Sequence, residues 1–172
     1  MIAITTGRKP TQSTRRLSRE LARFLPGTRR LVRGKLGLRQ LVEELIATGS
    51  SRLVVIYRRF GGPDRLELMK LEGRRLQKTP PTIILQNVKF VKTVKTGRGV
   101  KLECITADSN RASRLAEALS NFLRLPLVDH ETSNFEYSLH ISGDSKYLGI
   151  APTDLSAKEI MGFVMWAKEL RW

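Results

Sequence analysis

The sequence predicts a mixed α/β fold of two similar α/β halves packed together. Short β-branched runs alternate with stretches of helical period along the chain. The order of those elements repeats, and a 41% hydrophobic content over 172 residues is enough apolar material for a full core. The chain reads as one domain, 1–172, with half-domains at about 1–78 and 79–172.

Residues 1–6 are apolar and β-branched, and Gly7 with Pro10 ends them, which predicts a buried strand and a turn. Over 11–25 the spacing is helical. At about 100° per residue, Leu17, Leu21, Phe24 and Leu25 share one arc, and Arg15, Arg16, Arg19 and Arg23 share the opposite one. Pro26-Gly27 stops that helix, and 28–32 is expected as a short strand carrying Arg29 and Arg30. Helical spacing returns over 36–48, with Leu38, Leu41, Val42 and Leu45 inward and Gly49 as the stop. Leu53-Val54-Val55-Ile56 is an unbroken apolar run, as in a central strand covered on both faces. Gly61-Gly62-Pro63-Asp64 then turns the chain into a partner strand at 65–71.

Residues 73–81, with Gly73 and Pro80-Pro81, mark the internal boundary. Beyond it, 82–95 and 100–106 are expected to form a hairpin with Thr96-Gly97-Arg98-Gly99 at its tip. A helix follows over 110–123 with Leu115, Ala118, Leu119 and Phe122 inward, then strands at 126–128, 135–141 and 147–150. Ser156-Ala157-Lys158-Glu159 matches a capping box and predicts a last helix from Ser156 to 172. Ile4-Thr5-Thr6, the first helix and Pro26 are echoed by Ile105-Thr106-Ala107, the helix at 110–123 and Pro126. Residues 53–68 around Gly61-Gly62 are likewise echoed by 135–150 around Gly143-Asp144.

Charge divides the halves. Residues 1–78 hold 19 Lys or Arg against 6 Asp or Glu, a net +13, whereas 79–172 hold 12 against 10, a net +2. Arg8, Lys9, Arg15, Arg16, Arg19, Arg23, Arg29, Arg30, Arg33, Lys35 and Arg39 stand among the first 40 residues with Glu20 as the only acid, and Arg58 and Arg59 end the apolar run. Like charges four apart destabilise an isolated helix, so this pattern points to a polyanion that neutralises it. Arg outnumbers Lys by 20 to 11, which suits bidentate phosphate contacts. Few aromatics lie among these residues, so backbone and shape contacts outweigh stacking. Phe60 is the one stacking candidate, with a core or turn-packing role equally open, and Lys89, Lys92, Lys95, Arg98 and Lys101 offer an auxiliary contact.

Other chemistries lack their residues. Cys104 is the single cysteine, which rules out an internal disulfide and a cysteine-based zinc cluster, and its surroundings read as a core strand. His130 and His140 have no ligand spacing. There is no Gly-x-x-x-x-Gly-Lys-Ser/Thr loop, no Gly-x-Ser-x-Gly elbow and no set of carboxylates on the basic stretch for a two-metal nuclease. The basic segments lack the aromatic wedge of a membrane-surface helix, and no run approaches the roughly 18 apolar residues of a span. No catalytic residue, metal or cofactor is expected. The residues describe a cytoplasmic nucleic-acid binder, with an RNA-binding reading first and a DNA-binding or architectural protein as the alternative.

Thr5-Thr6-Gly7-Arg8-Lys9-Pro10-Thr11 resembles a Thr-Ser-Arg-Lys-Pro-Ser opening phrase, and Leu25-Pro26-Gly27 with Arg33-Gly34-Lys35 resembles a Pro-to-Arg-Gly-Lys segment before a helix. With the apolar strand and Gly-Pro turn that follow, these are the marks of the Brix domain, found in a family of ribosome-biogenesis proteins. Gly7 departs from the family's serine, and Thr79-Pro80-Pro81-Thr82 stands where a Gly-Pro-Thr phrase is usual. The chain resembles the compact archaeal form and, among relatives, the small-subunit processing branch. The resemblance implies two α/β halves similar to the anticodon-binding domain of class II aminoacyl-tRNA synthetases. It also implies binding to ribosomal RNA precursors, together with other ribosome-assembly proteins.

Overall fold

The computed structural model describes residues 1–92, 99–129, 134–143 and 146–172. The chain runs β1 (Ile2–Thr6), α1 (Gln12–Phe24), β2 (Thr28–Arg30), α2 (Leu38–Ala47), β3 (Arg52–Arg59), β4 (Gly62–Glu72) and β5 (Arg75–Phe90). It continues with β6 (Cys104–Ala107), α3 (Asn110–Leu123), β7 (Tyr137–Gly143), β8 (Leu148–Asp154), β9 (Glu159–Ile160) and β10 (Phe163–Arg171). Among the described residues the strands form one sheet in the order β2-β1-β3-β4-β5-β10-β8-β7-β6, with β9 attached to β8. Pairing is parallel at the two ends, β2-β1-β3 and β7-β6, and antiparallel through the middle. This is a mixed α/β architecture.

Side-chain alternation sends the strands into two cores. Val54 and Ile56 face one core together with Leu17, Leu21 and Phe24 of α1 and Leu115, Leu119 and Phe122 of α3. Leu53 and Val55 face the other, under Leu41 and Leu45 of α2. The apolar run 53–56 is therefore covered on both faces, as its composition predicts. α1 and α3 lie on one face of the sheet and α2 on the opposite face. Each buried Leu or Phe contributes about 1.5–3 kcal/mol, so the helical stripes anchor these layers.

Several predicted elements are corrected. Leu38, expected inward, is 58% exposed, because it opens α2 ahead of the buried stripe Leu41, Val42 and Leu45. Ala118 is half-buried. The β3–β4 turn is Phe60-Gly61, since Arg59 already pairs with Gly62 and Arg58 with Pro63. Residues 73–81 are a tight turn and the start of β5, with Pro80-Pro81 in the break of the β4–β5 register between Leu68↔Thr79 and Leu66↔Ile83. Prolines cannot donate to a ladder, and a bulge accommodates them.

The expected hairpin of 82–95 with 100–106 does not form. β5 pairs with β4 and β10, and β6 pairs in parallel with β7. Residues 96–98 of the expected tip lie outside the described residues. The strand expected at 126–128 is a single bridge, Ile105↔Leu127. The largest correction is at 156–172, where strands replace the expected helix. Asp154 Oδ1 accepts from Ser156 N, Ser156 Oγ and Ala157 N, which makes the apparent capping box a turn. β10 then enters between β5 and β8, where Phe163, Val164, Met165 and Ala167 are buried.

α1 and β10 meet at Phe24 and Phe163, whose rings stand edge-to-face at 6.2 Å. Gly162, at φ +69°, lies so close to Phe24 that a Cβ would collide with the ring. Leu102 N donates to Phe24 O at 2.9 Å, and Lys101 Nζ donates to Ala22 O and Leu25 O at 3.1 and 3.2 Å. Lys101 thus satisfies the last carbonyls of α1. Its burial there lowers its pKa.

Candidate nucleic-acid interface

Parallel pairing decides where the basic residues go. β1, β2 and β3 run the same way, so their carboxyl ends share one edge of the sheet, where open α/β sheets take their ligands. Gly7 N donates to Ile56 O at 2.9 Å and Leu31 N to Ile4 O at 2.8 Å, while buried Thr5 Oγ1 donates to Leu31 O at 2.8 Å. These bonds hold three loops side by side. The first carries Arg8 and Lys9, the second Arg33 and Lys35, and the third carries Phe60 just after Arg58 and Arg59 at the end of β3.

α1 begins at the same edge. Thr11 caps it by accepting from Thr14 N at 3.3 Å, and Ser13 Oγ donates to Gly61 O at 3.5 Å, which ties the helix start to the β3–β4 turn. A Cβ on Gly7 would stand 3.0 Å from Tyr57 Cδ1, so the family's serine has little room here. Burial and then Glu67 raise the Tyr57 pKa, and Arg33 and Arg65 oppose them. Arg33 is therefore near the end of β3, and the phenol stays neutral at physiological pH.

The remaining predicted residues are spread more widely. Arg15, Arg16, Arg19 and Arg23 are exposed on the arc of α1 opposite Leu17, Leu21 and Phe24, as the periodicity predicts. Along the helix Arg15 to Arg23 span about 12 Å, so Arg23 is the farthest of them from the loop edge. Arg29 and Arg30 are exposed on the outermost strand, β2, and Arg39 is on α2, across the sheet from α1. Arg23 has Glu20 at 3.8 Å and Arg39 has Glu43 at 3.5 Å. Among the described residues, none of the other eleven predicted site cations has a carboxylate within 4.0 Å. An uncompensated positive surface of this extent attracts phosphate backbones.

Two of these arginines have aromatic partners, of which Phe60 follows Arg59 in sequence and Phe90 comes from a distant strand. Arg16 lies over the Phe90 ring at 4.3 Å, and Arg59 lies over the Phe60 ring at 4.8 Å. Phe60 is 93% exposed and held at φ +48°. A bulky residue in the left-handed region is strained, so packing does not explain a phenyl ring there.

Among the described residues no three His, Cys, Asp or Glu side chains are grouped to hold a metal ion, and His130 lies outside those residues. His140 Nδ1 is 2.9 Å from Thr106 Oγ1, and Nε2 is 3.9 Å from Asp108. Cys104 is buried in β6. No helix among the described residues is long and apolar enough to cross a membrane.

The architecture defines the class: this is the mixed α/β fold of solved archaeal ribosome-biogenesis proteins. It is similar to the crystal structure of a probable ribosomal biogenesis protein from Aeropyrum pernix, with TM-score 0.77 and 22% identity over 98% of this chain and 95% of that one. It is also similar to Mil, an archaeal Imp4-like protein, with TM-score 0.69 and 24% identity over 98% of both chains.

The individual relatives carry the family's name, each a probable Brix domain-containing ribosomal biogenesis protein. One from Pyrobaculum aerophilum is 40% identical over 62 residues, 36% of this chain and 34% of that protein. One from Methanococcus maripaludis is 29% identical over 135 residues (77% and 75%), and one from Aeropyrum pernix is 24% identical over 152 residues (86% and 84%). No protein-family model matches the chain. The chain is similar along most of its length to archaeal proteins named Brix domain-containing ribosomal biogenesis proteins, and its opening motifs resemble that family's.

Proposed function

We propose that this protein is a non-catalytic RNA-binding factor of ribosome biogenesis that acts in the cytoplasm on ribosomal RNA precursors. The observation that carries the reading is the sheet edge where three loops and the start of α1 present Arg8, Lys9, Arg16, Arg33, Lys35, Arg58 and Arg59 without acidic partners. Arg15, Arg19 and Arg23 extend that surface along α1, Arg29 and Arg30 along β2, and Arg39 onto the far face. The relatives' names supply the process, and the charge supplies the ligand class. Other assembly proteins are the further partners this role implies.

The same reading treats residues 1–172 as one domain whose first half, about 1–78, kept the charge and whose second half, about 79–172, mainly completes the core. Its support is the strand order, which reads alike outward from the β5–β10 pair and suits the two-half plan of class II synthetase anticodon-binding domains. Binding to structured pre-rRNA fragments and to duplex DNA, measured at several salt concentrations, tests the proposal. RNA is expected to bind more tightly, with a steep salt dependence. Tighter duplex binding would transfer the role to DNA, and metal-dependent cleavage of the RNA would make the protein a nuclease.

A further inference from the structure

The α3 side of the sheet repeats the arrangement assigned above to RNA. Thr11 caps α1 and Ser109 caps α3, and counted from those caps Arg16 and Arg114 hold the same position. Arg16 lies over Phe90, the last residue of β5, and Arg114 lies 4.0 Å over the indole of Trp172, just past β10. β5 and β10 hold matching places in the strand order. A cleft opens beside each pair: Ser13, Gly61 and Phe90 line the first, and Asn110, Arg111, Lys168 and Trp172 line the second, which holds about 280 Å³.

The second cleft is basic in a half that nets only +2. Arg111, Arg114 and Lys168 line it, and among the described residues its one acidic side chain, Glu169, is engaged by Arg171 at 2.7 Å. Trp172 remains 48% exposed with Arg114 upon it, so the indole has surface left for another planar group. A solvated cation–π pair needs neither a cleft nor flanking cations. An unpaired base with its phosphate uses all of them: the base stacks on the ring, and the guanidinium and ammonium groups take the anion.

We propose that Arg114 and Trp172, with Arg111 and Lys168, form a second RNA contact that takes an unpaired nucleotide. It rests on the RNA reading above and adds that the near-neutral half also touches the ligand. β5 and β10 are antiparallel, with Phe90 opposite Phe163 and Thr82 opposite Arg171, so the two aromatics sit at opposite edges of the sheet. Nine residues of strand place them about 30 Å apart. At about 3.4 Å per stacked nucleotide, an RNA reaching both sites spans on the order of nine nucleotides.

The test compares single-stranded RNAs of roughly five and roughly twenty nucleotides, short and long against that span. They are titrated into the intact protein, into an Arg114→Glu, Trp172→Ala variant and into an Arg15→Glu, Arg19→Glu, Arg23→Glu variant. Arg114 and Trp172 are exposed, and equal melting temperatures check that the fold is kept. The first variant should lose about tenfold in affinity for the long RNA and stay within about twofold for the short one. RNA should quench tryptophan fluorescence in the intact protein, and Trp172→Phe should abolish that quenching although Trp166 remains. If long-RNA affinity and quenching are unchanged while the α1 variant binds more weakly, the second contact is wrong and the first stands. If the intact protein binds neither RNA, both fail.

Discussion

α1 and α3 are built alike and dressed differently. They have 13 and 14 residues, hydroxyl N-caps and a common core, with Phe24 and Phe122 both essentially inaccessible. Yet the outer arc of α1 shows Arg15, Arg16, Arg19 and Arg23, where the outer face of α3 shows Arg111, Arg114, Glu117 and Asn121. The fold asks each helix only for its apolar stripe and its cap. The outer face is free to vary, so a run of one sign there is not dictated by the packing.

The largest expected effects probe what the helices share. Phe24→Ala and Phe122→Ala should each cost about 3–5 kcal/mol in urea unfolding, through lost transfer energy and a cavity. Costs differing by more than about 2 kcal/mol would show that the two helices are not equally anchored. Next comes what they do not share. Replacing Arg15, Arg19 and Arg23 by Glu should lower RNA affinity about a hundredfold and reduce the salt slope by about three, with a small change in melting temperature. The opposite change on α3, Glu117→Arg, should strengthen binding a few-fold, and no gain would confine recognition to the first half.

A smaller effect is expected at the entrance to α1. Gly7→Ser brings a Cβ against Tyr57, and about 1–2 kcal/mol of thermal stability should be lost unless the ring shifts. The smallest effect concerns the caps, where Thr11→Ala and Ser109→Ala should each cost about 1 kcal/mol. Thr11 Oγ1 also lies 2.8 Å from Thr14 Oγ1 and 3.1 Å from Ser13 Oγ, so its loss should be the larger of the two in matched melts.

Local order made much of this legible. α1 and α3 follow from period, and the run 53–56 follows from composition, because each signal lies within a dozen residues. What failed needed distant partners. Residues 161–167 are apolar on both faces because two strands flank β10, and a run apolar on both faces suits a buried helix as well as a strand. β6 was misjoined because its parallel partner lies beyond a whole helix. At the candidate site the cations could be read directly, but Phe90 under Arg16 and Trp172 under Arg114 come from other strands, and no spacing announces them.

The place of β10 also bears on how this chain is made. It follows every other strand of the sheet in sequence and fills the middle of it, between β5 and β8. During synthesis, β1 to β5 emerge first and have their own pairings, but the free edge of β5 stays open until residues 163–171 leave the ribosome. Through that interval the nascent chain exposes an unpaired edge while its arginine-rich helix is already out.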